Sequence, residues 1–159
     1  MFNRLSAKPI SILVTNTADH LYHDLDFDVA YGTAIIYCTA SATVIQAGFE
    51  DTMGNYVIVK YDRKYTDSSG SEKTLTARYL HIKEFPSVSV GQYVTHFTLM
   101  GYVGNTGYVL PPPPDSTSTI GTHLHLDVNT VGATAGRQMD TTNTIPPELF
   151  FPNAKFKWF

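Results

Sequence analysis

The chain is made of short runs of β-forming residues separated by glycines, and this pattern restricts it to a strand-rich fold. Threonine, valine, isoleucine and the aromatic residues together make up more than a third of the 159 residues, and their side chains suit a pleated sheet. No window of about 11 residues places its apolar side chains at the 3.6-residue period of an amphipathic helix. We therefore predict a mainly β protein.

The runs predict strands at the following positions: Ile10–Val14, Leu25–Val29, Thr33–Thr39, Ala42–Gln46, Tyr56–Tyr61, Thr74–His81, Tyr93–Thr95, Thr98–Val103 and His123–Val128. Tyr56–Tyr61 and Thr74–His81 form a predicted hairpin whose long polar loop is Asp62–Lys73. The four prolines of Pro111–Pro114 predict an extended surface loop, which either walls a cleft or serves as a passive connector. Ile145–Phe151 is interpreted as a short turn or a single helical turn that packs aromatic side chains against the body of the domain. We expect a single domain over residues 1–159 with a core of about residues 10–151.

Composition excludes several classes of partner. The net charge is −3 and no block of like charge occurs, so neither a nucleic acid nor an anionic membrane surface is expected to bind. No apolar run reaches the ~18 residues that span a bilayer, and no signal peptide is visible at the N-terminus. The single cysteine, Cys38, excludes an internal disulfide framework and is expected to be a buried core thiol.

Two histidines in the last predicted strand lie at alternate positions. Because successive strand residues point to opposite faces, His123, His125 and Asp127 share one face while Leu124 and its alternate neighbours enter the core. Two imidazoles on one face can lie beside a single metal ion. A plain polar strand face is the alternative interpretation.

A second group of metal-binding residue types lies near the N-terminus. The segment from His20 to Asp28 holds two histidines and three aspartates within nine residues. Zinc binds neutral imidazole and carboxylate, and a catalytic zinc uses three protein ligands and one water. A histidine and an aspartate from this segment could therefore join a histidine from the late strand. A solvated acidic loop is the alternative.

Five short segments of the chain occur in an order that is typical of one known family. They are Asp26-Phe27 followed by Gly32-Thr33, Tyr79-Leu80-His81-Ile82, Val90-Gly91-Gln92-Tyr93-Val94, Met100-Gly101-Tyr102-Val103-Gly104-Asn105-Thr106-Gly107, and Gly121-Thr122-His123-Leu124-His125-Leu126-Asp127-Val128. In these segments the chain resembles the lysostaphin-type zinc endopeptidases of bacterial peptidoglycan, from about His20 to Val128, with a weaker match to about Phe151.

The resemblance implies a fold, a cofactor and residue roles. The fold would be a lysostaphin-type peptidase domain, built on an antiparallel sheet with long loops flanking a groove. Asp26 and His125 would bind Zn²⁺, and His81 and His123 would handle protons and stabilise the transition state. The substrate would be a peptide of peptidoglycan.

The first histidine ligand is ambiguous. The family places it four residues before the aspartate, a position that Tyr22 occupies here. Strand alternation favours His20 as the partner of Asp26, whereas His23 needs a bulge to reach the same face. If neither binds, the chain is a catalytically degenerate member that serves as a cell-wall-binding or assembly module.

The cellular context predicted from the resemblance is the cell wall or extracellular space, or a phage virion. The chain could be part of a larger polypeptide or phage particle. The remaining histidine, His96, matches no family segment and is expected to be a surface residue near a turn.

Overall fold

The computed structural model of the chain describes residues 12–14, 24–27, 35–132, 143–145 and 156–158. Within these ranges the regular elements are all strands, as predicted. Their bounds are β1 Ile12–Val14, β2 Asp24–Phe27, β3 Ile35–Tyr37, β4 Ala42–Glu50, β5 Gly54–Thr66, β6 Glu72–Ile82, β7 Tyr93–Val94, β8 Leu99–Tyr102, β9 Leu124–Asn129 and β10 Phe156–Trp158. No helix of the described ranges is long and apolar enough to cross a bilayer.

One six-stranded antiparallel sheet organises the protein. Its strand order is β2-β9-β6-β5-β4-β7, so the late strand β9 lies between β2 and β6. Two smaller pairs accompany it, an antiparallel pair of β3 with β8 and a parallel pair of β1 with β10. The predicted antiparallel sheet is confirmed, and its topology brings a segment near residue 25 beside a strand near residue 125.

The two faces of the large sheet bury different residues. Alternate residues of its central strands, such as Val57, Val59 and Tyr79, join the main core, which also contains Ile36 and Met100 of the β3/β8 pair. The opposite face carries a smaller apolar cluster of Met53, Tyr56, Ile58 and Leu80. This second face also carries the polar residues of β6 and β9 that are described below, and we call it the histidine face.

The predicted hairpin exists, but its long loop was predicted wrongly. β5 and β6 continue through most of Asp62–Lys73, and the turn is confined to residues 67–71. The Asp67 carboxylate closes this turn by accepting hydrogen bonds from the Ser69 and Ser71 amides at 2.9 and 3.0 Å. Polar residues appear on both sides of this arm because both sides face solvent, so polarity alone did not mark a loop.

Other strand bounds also differ from the prediction. β4 extends to Glu50 because it pairs with β5 as far as Gly54, although its last residues lack strong β-forming character. No run in the sequence predicted β10. The turn predicted at Ile145–Phe151 lies outside the described residues except for Ile145, which is buried against the main core.

Candidate active site

Strand β9 is paired on both sides, and its two neighbouring strands contribute acidic and basic residues opposite it. Position 125 is directly opposite Asp26 of β2 and Leu80 of β6. Position 127 is directly opposite Asp24 on one side and Arg78 on the other. Directly paired residues of an antiparallel sheet share a face, so Asp26 and His125 occupy neighbouring positions of the histidine face.

The alternation predicted for β9 is confirmed. Leu124, Leu126 and Val128 are buried in the main core. On the other face, the His125 Nε2 atom lies 3.4 Å from the Asp127 Oδ2 atom. The predicted division of this strand into a core face and a polar face is therefore confirmed.

His81 adopts a backbone conformation that strand alternation did not predict. Its φ angle is +61°, in the left-handed region that few non-glycine residues enter. This residue interrupts the alternation, so that Tyr79 and Ile82 are both in the main core although they are three residues apart. The His81 amide donates a hydrogen bond to the Met53 carbonyl at 2.9 Å.

The consequence is a cluster of three histidine rings, which we call the histidine cluster: His81, His123 and His125. The ring centroid of His81 is 4.7 Å from that of His123 and 6.1 Å from that of His125. Strand alternation in the sequence predicted that His123 and His125 lie on one face. The left-handed backbone conformation of His81 brings its ring to these two, which the sequence did not predict.

Backbone carbonyls orient two of these rings. The His81 Nδ1 atom lies 2.8 Å from the Thr106 carbonyl oxygen, and the His123 Nδ1 atom lies 2.8 Å from the Gly121 carbonyl oxygen. A carbonyl only accepts, so each Nδ1 atom must carry the proton. In the neutral form, each ring therefore has its basic lone pair on Nε2.

The segment from Gly104 to Gly107 presents the Thr106 carbonyl to His81. The Thr106 hydroxyl donates to the Ile82 carbonyl at 2.8 Å and accepts from the Asn55 amide at 2.9 Å. The backbone of Gly107 passes so close to Gly54 that a Cβ atom on Gly107 would lie 2.2 Å from the Gly54 nitrogen. Glycine is needed here for close approach as well as for conformation.

We expect Gly107→Ala to lower the free energy of unfolding by about 3 kcal/mol. About 1–2 kcal/mol comes from placing alanine at a φ of +78°, and about 1–3 kcal/mol from displacing the Gly54 backbone. Denaturant unfolding measures the change. Gly70→Ala is the matched control, because Gly70 also has a positive φ but no atom within 4 Å of the added Cβ. Equal losses in the two variants would contradict the close-contact argument.

A buried ion pair supports the histidine face. The Arg78 guanidinium contacts the Asp127 Oδ2 atom through Nε at 2.8 Å and through Nη2 at 2.7 Å. Burial alone would raise the pKa of Asp127, but the hydrogen bond from His125 and the charge of Arg78 outweigh it and hold the pKa below its usual value. Sequence reasoning missed Arg78. Its signal was a lone arginine within the otherwise uncharged part of the predicted strand Thr74–His81.

The predicted site residues differ in how much the structure describes. His81, His123 and His125 are brought together, whereas Asp26 is located through its backbone register. His20 and His23 lie outside the described residues, so the choice between them stays a prediction. Among the side chains that the structure describes, no three histidine, cysteine or carboxylate groups form a metal-binding cluster.

Two further sequence predictions concern residues away from the site. His96 is exposed, and its ring contacts that of Phe97 in a tilted arrangement at a centroid distance of 4.0 Å. Cys38 is buried in the main core. Both predictions are confirmed, and neither residue belongs to the histidine cluster.

Comparison with known families identifies the class of this fold and site. Residues 21–141 match the family described as Peptidase family M23. The match covers most of the chain, including β2, the histidine cluster and β9. The chain therefore belongs to peptidase family M23, the lysostaphin-type family that the sequence motifs resemble.

Solved structures show the same fold. The catalytic domain of the antimicrobial peptidase lysostaphin from Staphylococcus simulans is 18% identical, with a TM-score of 0.58 over 92% of this chain and 91% of that chain. The structure of LytU is 21% identical, with a TM-score of 0.57 over 82% of this chain and 72% of that chain.

A zinc-containing peptidase from Vibrio cholerae is 25% identical, with a TM-score of 0.50. The match covers 67% of this chain and spans only 26% of that one. This relative therefore corresponds to the present chain over one part of a longer protein.

Proposed function

We propose that this protein is a zinc metalloendopeptidase that hydrolyses peptide bonds of bacterial peptidoglycan. The observation that carries the proposal is the backbone register that pairs Asp26 with His125, together with the cluster that the rings of His81 and His123 form with His125. Membership of a peptidase family supports hydrolysis of a peptide bond. The similarity to a zinc-containing peptidase supports zinc.

The residues present fit a zinc ion. Carboxylate and imidazole are ligands that zinc prefers. A zinc-binding histidine commonly donates its other ring N–H to a carboxylate, and the His125 Nε2 atom lies next to the buried Asp127 carboxylate. Asp26, His125 and either His20 or His23 would hold the ion. When bound, zinc lowers the pKa of its water towards ~7 and polarises the scissile carbonyl.

The proton transfers are assigned to His81 and His123. Each neutral ring has its lone pair on Nε2, because Nδ1 donates to a backbone carbonyl. One imidazole accepts a proton from the attacking water, and a protonated imidazole then donates to the leaving amine. The two carbonyl acceptors keep each ring in the tautomer that this chemistry needs.

The substrate class and context are part of the same proposal. The substrate is a stem peptide or cross-bridge of peptidoglycan, and the protein acts at the cell wall, outside the cell or on a phage particle, alone or within a larger polypeptide. Membership of peptidase family M23 supports the substrate class.

The test is hydrolysis of purified peptidoglycan. We expect the zinc-loaded protein to release new amino termini from sacculi, detected by chemical labelling and mass spectrometry of the fragments. A chelator should abolish the release, and added zinc should restore it. If sacculi from several wall types sediment with the zinc-loaded protein but gain no new amino termini, the protein is the degenerate wall-binding module instead.

A further inference from the structure

We infer that Asp127, anchored by Arg78, is a positioning residue that holds the imidazole of His125 with its proton on Nε2. The inference deepens the proposed function, in which His125 binds zinc. It concerns the carboxylate that lies behind that histidine, and it is tested first on the metal-free protein.

The Asp127 Oδ2 atom is surrounded by three side-chain nitrogens. This single oxygen lies 2.7 and 2.8 Å from two nitrogens of Arg78 and 3.4 Å from the Nε2 atom of His125. A carboxylate oxygen only accepts, so the Nε2 atom must carry a proton to interact favourably with it. The neutral ring then has its lone pair on Nδ1.

The Asp127 carboxylate is itself buried and held by Arg78. Its side chain is 1% exposed and that of Arg78 is 7% exposed. Two guanidinium N–H groups converge on one carboxylate oxygen, which fixes that oxygen more tightly than a solvated carboxylate would be. The ring of His125 is therefore oriented by a group that is itself held in place by the neighbouring strand.

The three rings of the histidine cluster make their contacts through different ring nitrogens. His81 and His123 donate through Nδ1 to backbone carbonyls, whereas His125 interacts through Nε2 with a carboxylate. Adjacent rings are thus held in opposite tautomers. Among the described side chains, the Asp127 carboxylate, two residues further along the same strand face, is the acceptor at the Nε2 atom of His125.

The same two strands provide an internal comparison. Thr76 and Asn129 are the next directly paired residues on this face, and the Thr76 hydroxyl donates to the Asn129 side-chain oxygen at 2.7 Å. This pair is buried and links β6 to β9 as Arg78 and Asp127 do. This pair joins a hydroxyl to an amide oxygen rather than a carboxylate to an imidazole, so it separates strand pairing from ring positioning.

The first experiment is nitrogen-15 NMR of the metal-free wild-type protein. We expect a slowly exchanging Nε2–H proton for His125, with a nuclear Overhauser contact to the Arg78 guanidinium, and Nδ1–H protons for His81 and His123. A proton on the Nδ1 atom of His125 would overturn the inference. This result does not depend on whether the protein binds zinc or cleaves peptidoglycan.

The second experiment compares two variants. Arg78→Met/Asp127→Leu replaces the ion pair with apolar residues, which folded proteins often tolerate. We expect it to lose the protected Nε2–H signal and to bind zinc about 10–100-fold more weakly in competition with a chromophoric chelator. The control variant, Thr76→Val, should keep both the protected Nε2–H signal and the zinc affinity of the wild type. Unchanged zinc affinity in the folded double variant, or an equal loss in the control, would reduce Asp127 to a structural role.

If the wild-type protein binds no zinc but shows the protected Nε2–H proton, the proposed function fails and the positioning of His125 stands. If it binds zinc and cleaves peptidoglycan but lacks that proton, the proposed function stands and the positioning of His125 by Asp127 fails. The two failures are therefore distinguishable.

Discussion

Asp26→Ala and His125→Ala are each expected to abolish zinc binding and hydrolysis of peptidoglycan. The proposed ion has three protein ligands, and removal of one leaves two side chains that cannot hold it against dialysis. Without the ion, no activated water is present. Elemental analysis after dialysis measures zinc content, and release of new amino termini from sacculi measures turnover. Both should fall to the level of chelator-treated protein.

The matched control for Asp26 is Asp24→Ala. Asp24 lies in the same strand and on the same face, but its register partner is Asp127 rather than His125. We expect this variant to retain zinc and most of its turnover. Retained turnover in His125→Ala, or loss of zinc in Asp24→Ala but not in Asp26→Ala, would contradict the proposed ligand assignment.

His81→Ala and His123→Ala are expected to keep zinc and to lose turnover by about 10²–10⁴-fold, the usual contribution of a general acid or base. Neither residue is assigned as a ligand, and each is oriented by a backbone carbonyl so that Nε2 is basic. The pairing of zinc content with turnover separates this effect from ligand loss.

The control for both variants is His96→Ala, since His96 is exposed and lies outside the histidine cluster. Its turnover should match that of the wild type. The assignment would be wrong if His81→Ala or His123→Ala lost zinc together with activity, or if either retained full turnover.

Local patterns in the sequence were sufficient to predict part of this site. Strict alternation along His123–Val128 fixed which side chains enter the core, because a strand with one buried face tolerates no slip in register. The glycines of the Met100–Gly107 segment were also visible. Their physical reason emerges only from the structure, where a Cβ on Gly104 would lie 2.4 Å from the Lys83 Cα atom.

The remainder depended on tertiary contacts. No propensity predicts that His81 adopts a left-handed φ, since that conformation is stabilised by the Met53 and Thr106 carbonyls, residues distant in sequence. The role of Arg78 is equally non-local, because its partner Asp127 lies 49 residues away. The extended hairpin was missed because solvent on both sides removes the alternation that marks a half-buried strand.

The most direct test of the central claim is an anomalous difference map, measured at the zinc absorption edge from crystals grown with zinc. The account predicts one strong peak at about 2.0–2.2 Å from both an Asp26 carboxylate oxygen and a His125 ring nitrogen. The third protein ligand in that map would decide between His20 and His23. A zinc peak that touches neither Asp26 nor His125, or a fully zinc-supplemented crystal without a peak between them, would contradict the account.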